Sequence, residues 1–218
     1  MSQSTQMNMQ EFQSLARILH NVLFYDPTTE LLENLIKYQV IESWPMFSGS
    51  QAEAQAKTQI QAYLQTWNNE QTLALKLDYG QLFYGPAEPS AVPWGSVYLS
   101  EKQLLNGEST QELMVFYQQQ GVSFELDSNQ PVDHIGLFFA VLDQMFAQLA
   151  IDENETLRST LIILLQQHLL PWSARCLSLV QQHAQTDFYR GFAIFAQAYL
   201  DEVCRELQIV PLATQLYR

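Results

Sequence analysis

Asp133 and His134 stand side by side near the middle of the chain, and a carboxylate beside an imidazole is the pair from which acid–base catalysis is commonly built. Placed at a helix start, however, adjacent residues point about 100° apart, which suits them poorly to act as a base and its orienter. No Gly-x-Ser-x-Gly elbow supplies a nucleophile, and neither Cys176 nor Cys204 lies beside a recognisable partner histidine. His20, His134, His168 and His183 are far apart, with no His-x-x-x-His or Glu-x-x-His spacing, so no metal site is expected. A Gly-rich phosphate loop is also missing from the sequence, so nucleotide binding has no support in it. A small hydrolase using Asp133 and His134 is the enzymatic alternative; the blander reading is a helix-start carboxylate and a hydrogen-bonded structural histidine.

Aromatic residues offer a different chemistry. Tyr79, Leu82 and Phe83 fall at i, i+3 and i+4, one face of a helix. Pro86, Pro89 and Pro93 follow, and are expected to hold Trp94 and Tyr98 in a loop, where large aromatics are costly to expose without a partner. Rigid aromatic anchors beside acidic residues would form a groove for a helix that carries both apolar and basic side chains.

Charge points the same way. Acids outnumber bases 23 to 10 over 218 residues, which argues against nucleic acid or an anionic membrane surface as partner. Residues 77–157 hold twelve acids and one lysine, Lys102, a net of −11 out of the chain's −13. That field is either a solubilising surface or a device for drawing in a cationic segment. The two cysteines are too few for a disulfide scaffold and are expected to be buried free thiols. The first ten residues lack the basic and apolar regions of a signal peptide, and no apolar run approaches ~18 residues, so a soluble cytoplasmic protein is expected.

The elements that must position these residues are helical. Ten of the sixteen glycines and prolines lie between Tyr79 and Gly136, flanked by long stretches almost free of both. Apolar periodicity predicts helices over Met9–Tyr25, Glu30–Val40, Ala52–Trp67 and Gln71–Tyr84. Ser109-Thr-Gln-Glu112 reads as a capping box that starts a helix to about Gln119, closed by Gly121. Residues 122–130 read as an exposed connection and a candidate hinge. Pro131 then suits the first turn of a helix over His134–Leu149, with Asp133 near its positive end. A further helix spans Glu155–Leu170; Pro171 should break it, leaving a shorter helix over Ser173–Gln182 and a final one over Phe188–Leu207. The expectation is an all-α protein of nine or ten helices in one domain, with two lobes possible at about 1–121 and 131–218.

Leu82-Phe83-x-Gly85-Pro86, Pro93-Trp94-Gly95-Ser96-Val97-Tyr98-Leu99 and Asn129-Gln130-Pro131-x-Asp133-His134-x-Gly136 resemble the signatures of the TorD/DmsD family. The resemblance continues in His168-Leu-Leu-Pro-Trp172, Phe188-Tyr-Arg190 and Leu216-Tyr-Arg218, and leans toward the DmsD branch. It implies a cytoplasmic chaperone that binds the twin-arginine leader of a molybdenum reductase of the dimethyl sulfoxide or trimethylamine N-oxide type. The apo-enzyme would be held for cofactor insertion and then passed to the Tat translocase. By the same resemblance the leader-binding surface comprises Tyr79, Leu82, Phe83, Pro93, Trp94, Tyr98, Gln130, Pro131, Asp133 and His134. Gln130 departs from the family's usual glutamate, removing one negative charge. No cofactor is expected; a weak guanine-nucleotide interaction is implied by the resemblance alone. A monomer or a domain-swapped homodimer would fit. The alternative within this class is an assembly factor that binds the body of the reductase and ignores its leader.

Overall fold

The computed structural model describes residues 8–85, 88–126 and 129–218; Pro86 and part of the 122–130 connection lie outside the described residues. All regular structure among them is helical: α1 Met9–Phe24, α2 Thr29–Lys37, α3 Val40–Ser43, α4 Gln51–Thr66, α5 Gln71–Tyr79, α6 Gly95–Leu99, α7 Glu108–Gln119, α8 Ile135–Leu149, α9 Glu155–Ile163, α10 Leu170–His183 and α11 Asp187–Leu207. A π-helical turn over Gly80–Tyr84 extends α5, and another over Leu164–Leu169 joins α9 to α10, so contiguous segments make ten helical rods among the described residues.

The chain forms two compact units, each assembled from separated segments. The first contains the described part of Met1–Phe24, with Trp94–Pro171 and Ile209–Arg218; the second contains Tyr25–Pro93 and Trp172–Gln208. The described residues of the 122–130 connection belong to the first unit.

In the first unit α1 packs along α8. Asn8 and Glu11 cap α1 reciprocally: the Glu11 amide donates to Asn8 Oδ1 at 2.9 Å and the Asn8 amide donates to Glu11 Oε2 at 3.0 Å. Phe12 stacks on Phe146 at 5.2 Å, and α8 buries eleven of its fifteen residues, as its apolar composition demands. The helices cross closely at Gly136, where a Cβ would lie 2.7 Å from Phe24 Cβ. In the second unit α4 packs on α11. Gly191 admits Ile60 and Ala56, and Trp44 stacks on Phe195 at 4.8 Å.

Several sequence expectations give way to tertiary detail. The second predicted helix divides because Gln39 takes a left-handed conformation, φ 49°, between α2 and α3. No capping box starts α7: the helix begins at Glu108 with Gly107 as an uncapped N-cap, which places Ser109 inside it. Its end is as expected, with Gly121 at φ +68° and the Val122 amide donating to Tyr117 O at 2.9 Å, a Schellman closure. Pro171 does not break the chain, because the preceding π turn widens the helix and the Leu170 amide reaches Leu165 O. Cys176 is buried as expected, but Cys204 is only half-buried.

Candidate functional site

The second unit holds Tyr79, Leu82, Phe83 and Pro93, all buried. Tyr79 packs its ring on Phe83 at 5.1 Å and on Tyr189 of α11 at 5.8 Å. Burial raises its hydroxyl well above the ordinary phenol range, so it is a neutral hydrogen-bonding group. The π turn tucks Leu82 inward, and the loop after it returns through the Ala91 amide to Leu82 O at 2.9 Å. Beside this cluster Asp78 anchors the residues that start α11: its carboxylate accepts from the amides of Gln185 and Thr186 at 3.0 and 2.8 Å and from Thr186 Oγ1 at 2.6 Å, and Thr186 is the N-cap.

The first unit brings together Trp94, Tyr98, Gln130, Pro131, Asp133 and His134. The sequence places Trp94 and Tyr98 on an open loop, but Trp94 is 8% and Tyr98 0% exposed, and Tyr98 belongs to α6. Trp94 and His134 form an isolated antiparallel bridge, with their rings edge-to-face at 5.5 Å. This junction replaces the predicted helix start: α8 begins at Ile135, Pro131 precedes it in a turn, and His134 is its N-cap. The Gly136 amide donates to His134 Nδ1 at 3.0 Å, which fixes the proton on Nε2. Phe24 packs against the same ring at 5.1 Å. Burial pushes the imidazole down to about 3, with His20 acting in the same direction, so His134 is uncharged near neutrality.

Asp133 turns away from its neighbour. Its Oδ2 accepts from the Ser96 amide at 2.7 Å and from Thr110 Oγ1 at 3.0 Å, and its backbone carbonyl accepts from the Gly95 amide at 3.1 Å. It therefore caps the first turn of α6 and ties it to α7, rather than serving the helix that follows it in sequence. At 3% exposure, with Oδ1, Ser96 Oγ and the Tyr117 hydroxyl buried without hydrogen-bond partners, it is the centre of a buried polar knot. Asp133 and His134 are thus engaged in opposite directions and share no hydrogen bond on which acid–base chemistry could run.

A cavity of 660 Å³ opens in the first unit among α1, the end of α7, α8 and α9. Its polar lining includes Asn21, Gln120, Gln144 and Gln148, and its apolar lining includes Phe124 and Met145. Arg17 of α1 reaches Asp143 of α8 there through two bonds, Nε to Oδ2 at 3.0 Å and Nη2 to Oδ1 at 3.1 Å. His20 donates from Nδ1 to Gly136 O at 2.8 Å, and burial holds its imidazole below the ordinary range. The sequence reading passed over this pair. Its signal was present: Arg17 is the one lysine or arginine of α1, and Asp143 the one charge within α8.

The family model described as nitrate reductase delta subunit matches residues 48–178. The chain is 29% identical over 216 residues to the Tat proofreading chaperone DmsD of Salmonella typhimurium, spanning 97% of this chain and 98% of that protein. It is 27% identical over 217 residues to the probable Tat proofreading chaperone DmsD of Haemophilus influenzae, spanning 98% of this chain and all of that protein. Against the chaperone protein TorD of Vibrio vulnificus the identity is 24% over 168 residues, with 73% of this chain and 78% of that protein covered. Among the described residues no helix is long and apolar enough to cross a membrane.

Proposed function

The chain belongs to the TorD/DmsD family, and on that premise we propose that it is a dedicated cytoplasmic chaperone for a molybdenum reductase of the dimethyl sulfoxide or trimethylamine N-oxide type. It binds the twin-arginine leader of the apo-enzyme and holds it until cofactor insertion, before export by the Tat translocase. The observation that carries this reading is the nearly end-to-end match to proteins named Tat proofreading chaperones. The geometry is consistent with binding rather than turnover, because Asp133 and His134 are both engaged in holding helices.

The physical division of labour follows from charge and burial. A leader presents guanidinium groups followed by an apolar segment, and the −11 net charge of residues 77–157 would speed its approach and orient it. Tyr79, Leu82, Phe83, Trp94 and Tyr98 are buried, so they act from beneath the surface by fixing the loops that the leader meets. In the second unit Tyr84 is exposed, and in the first Gln130 is half-buried.

Isothermal titration against a synthetic twin-arginine leader, beside the same peptide with both arginines changed to lysine, tests the reading. Binding in the micromolar range or tighter that weakens with lysine is the expected result. Failure to bind any reductase leader, together with undiminished binding to a leader-deleted reductase, would replace it with an assembly factor that reads the enzyme body.

A further inference from the structure

The cavity of the first unit holds a carboxylate, Asp143, paired with the guanidinium of Arg17. Among the described residues its lining contains three ionisable groups: Arg17, His20 and Asp143. Burial keeps His20 uncharged near neutrality, so it does not repel an incoming positive group. The α7 helix ends on this cavity at Gln120 and Gly121, and no basic residue lies in its last turn. The negative end of its dipole is therefore not neutralised by its own side chains, and it adds to the field of the Asp143 carboxylate.

The present occupant of that carboxylate is held asymmetrically. The Asp143 side chain is 11% exposed, whereas the Arg17 side chain is 57% exposed. The pair has the planar two-bond geometry that a carboxylate offers to guanidinium and cannot offer to ammonium. Half in water, Arg17 can give way to an incoming guanidinium that supplies the buried Asp143 carboxylate with the same two bonds, so the charge is not left unpaired.

We propose that this cavity is a guanidinium subsite, in which Asp143 accepts an arginine side chain of a bound peptide and Arg17 keeps the place in its absence. The amides of Gln120 and Gln144 are positioned on the lining to meet the peptide main chain, and Phe124 and Met145 to cover the apolar stem of the arginine. That the peptide is a reductase leader rests on the function proposed above; the guanidinium site itself does not.

The test is isothermal titration of the full-length protein, with circular dichroism of each variant, against two probes: a twin-arginine leader peptide and acetyl-Arg-Arg-amide, each paired with its lysine counterpart. Asp143→Asn is expected to weaken the arginine probes about tenfold or more, the worth of a charged two-bond contact, and the lysine probes much less. Arg17→Met, which removes the exposed competitor, is expected to tighten the arginine probes by up to about fivefold. Asp143→Asn binding the arginine probes as wild type does, or losing arginine and lysine probes alike, would overturn the subsite and leave the leader reading intact. Arg17→Met that binds no more tightly would overturn the place-keeping role. Wild type that ignores leaders but binds acetyl-Arg-Arg-amide through Asp143 would support the subsite and refute the leader reading; binding of neither probe would refute both.

Discussion

Replacing Asp133 separates two roles for that residue, contact with the leader or structural pin. Its Oδ2 accepts from the Ser96 amide at 2.7 Å and from Thr110 Oγ1 at 3.0 Å. Hydrogen bonds to a charged acceptor contribute about 1.5–3 kcal/mol each, so Asp133→Ala, which also strands two buried donors, is expected to cost about 3–6 kcal/mol. That is a large share of the roughly 5–15 kcal/mol by which folded proteins of ordinary stability persist. Asp133→Asn keeps an oxygen in the Oδ2 position and puts its amide nitrogen where Oδ1 has no partner. Both bonds then fall to neutral strength, about 0.5–1.5 kcal/mol each, and the loss is partly offset because a charge is no longer buried. The asparagine variant should therefore lose less than the alanine variant loses. Urea unfolding followed by circular dichroism measures this as a shift in midpoint at constant slope. As a pin, Asp133→Asn should also bind the leader with wild-type salt dependence. The reasoning fails if the alanine variant unfolds at the wild-type urea concentration, or if asparagine loses as much as alanine. A stable asparagine variant that loses leader binding together with its salt slope would restore Asp133 as a direct contact.

Two further outcomes follow from the same junction. The unfolded chain's His134 titrates near about 6.5, whereas burial puts the folded value at about 3. Below about 6.5 the unfolded state takes up a proton that the folded state refuses, so stability falls with falling pH, by up to about 1.4 kcal/mol per unit, until the folded value is reached. Between pH 7.5 and 5.0, wild type should lose about 2 kcal/mol more than His134→Gln; identical pH dependence in the two proteins would contradict the assignment. Gly136→Ala would drive a Cβ to 2.7 Å from Phe24 Cβ and to 3.0 Å from the α1 backbone. Overpacking of this kind costs about 1–3 kcal/mol, which lowers Tm by several degrees in a chain of this size. An unchanged Tm by scanning calorimetry would mean that α1 yields at this crossing.

Where local rules operate, the helices could be read from residue order. The stripes of α1, α4 and α11 repeat at 3.6 residues and end at Asp26-Pro27, Trp67 and Gln208, within a residue or two of the expected bounds. Pro171 sits within a continuous helical rod because the compensating π turn involves Leu165 and Leu170, partners that a proline rule does not consult. Ser109 had the composition of a cap, but helix α7 starts where α6 and the Asp133 knot position Gly107.

The sequence by itself determined the all-α class, the acidic character and the family. These follow from periodicity, composition and short motifs, which are local in the chain. Only the tertiary structure decided that the aromatics are buried, that Asp133 caps a helix 37 residues away in sequence, and that Arg17 meets Asp143 across 126 residues. Burial and hydrogen-bond partners are properties of pairs brought together by packing, and in one sequence the residue types of such a pair carry no record of the distance between them.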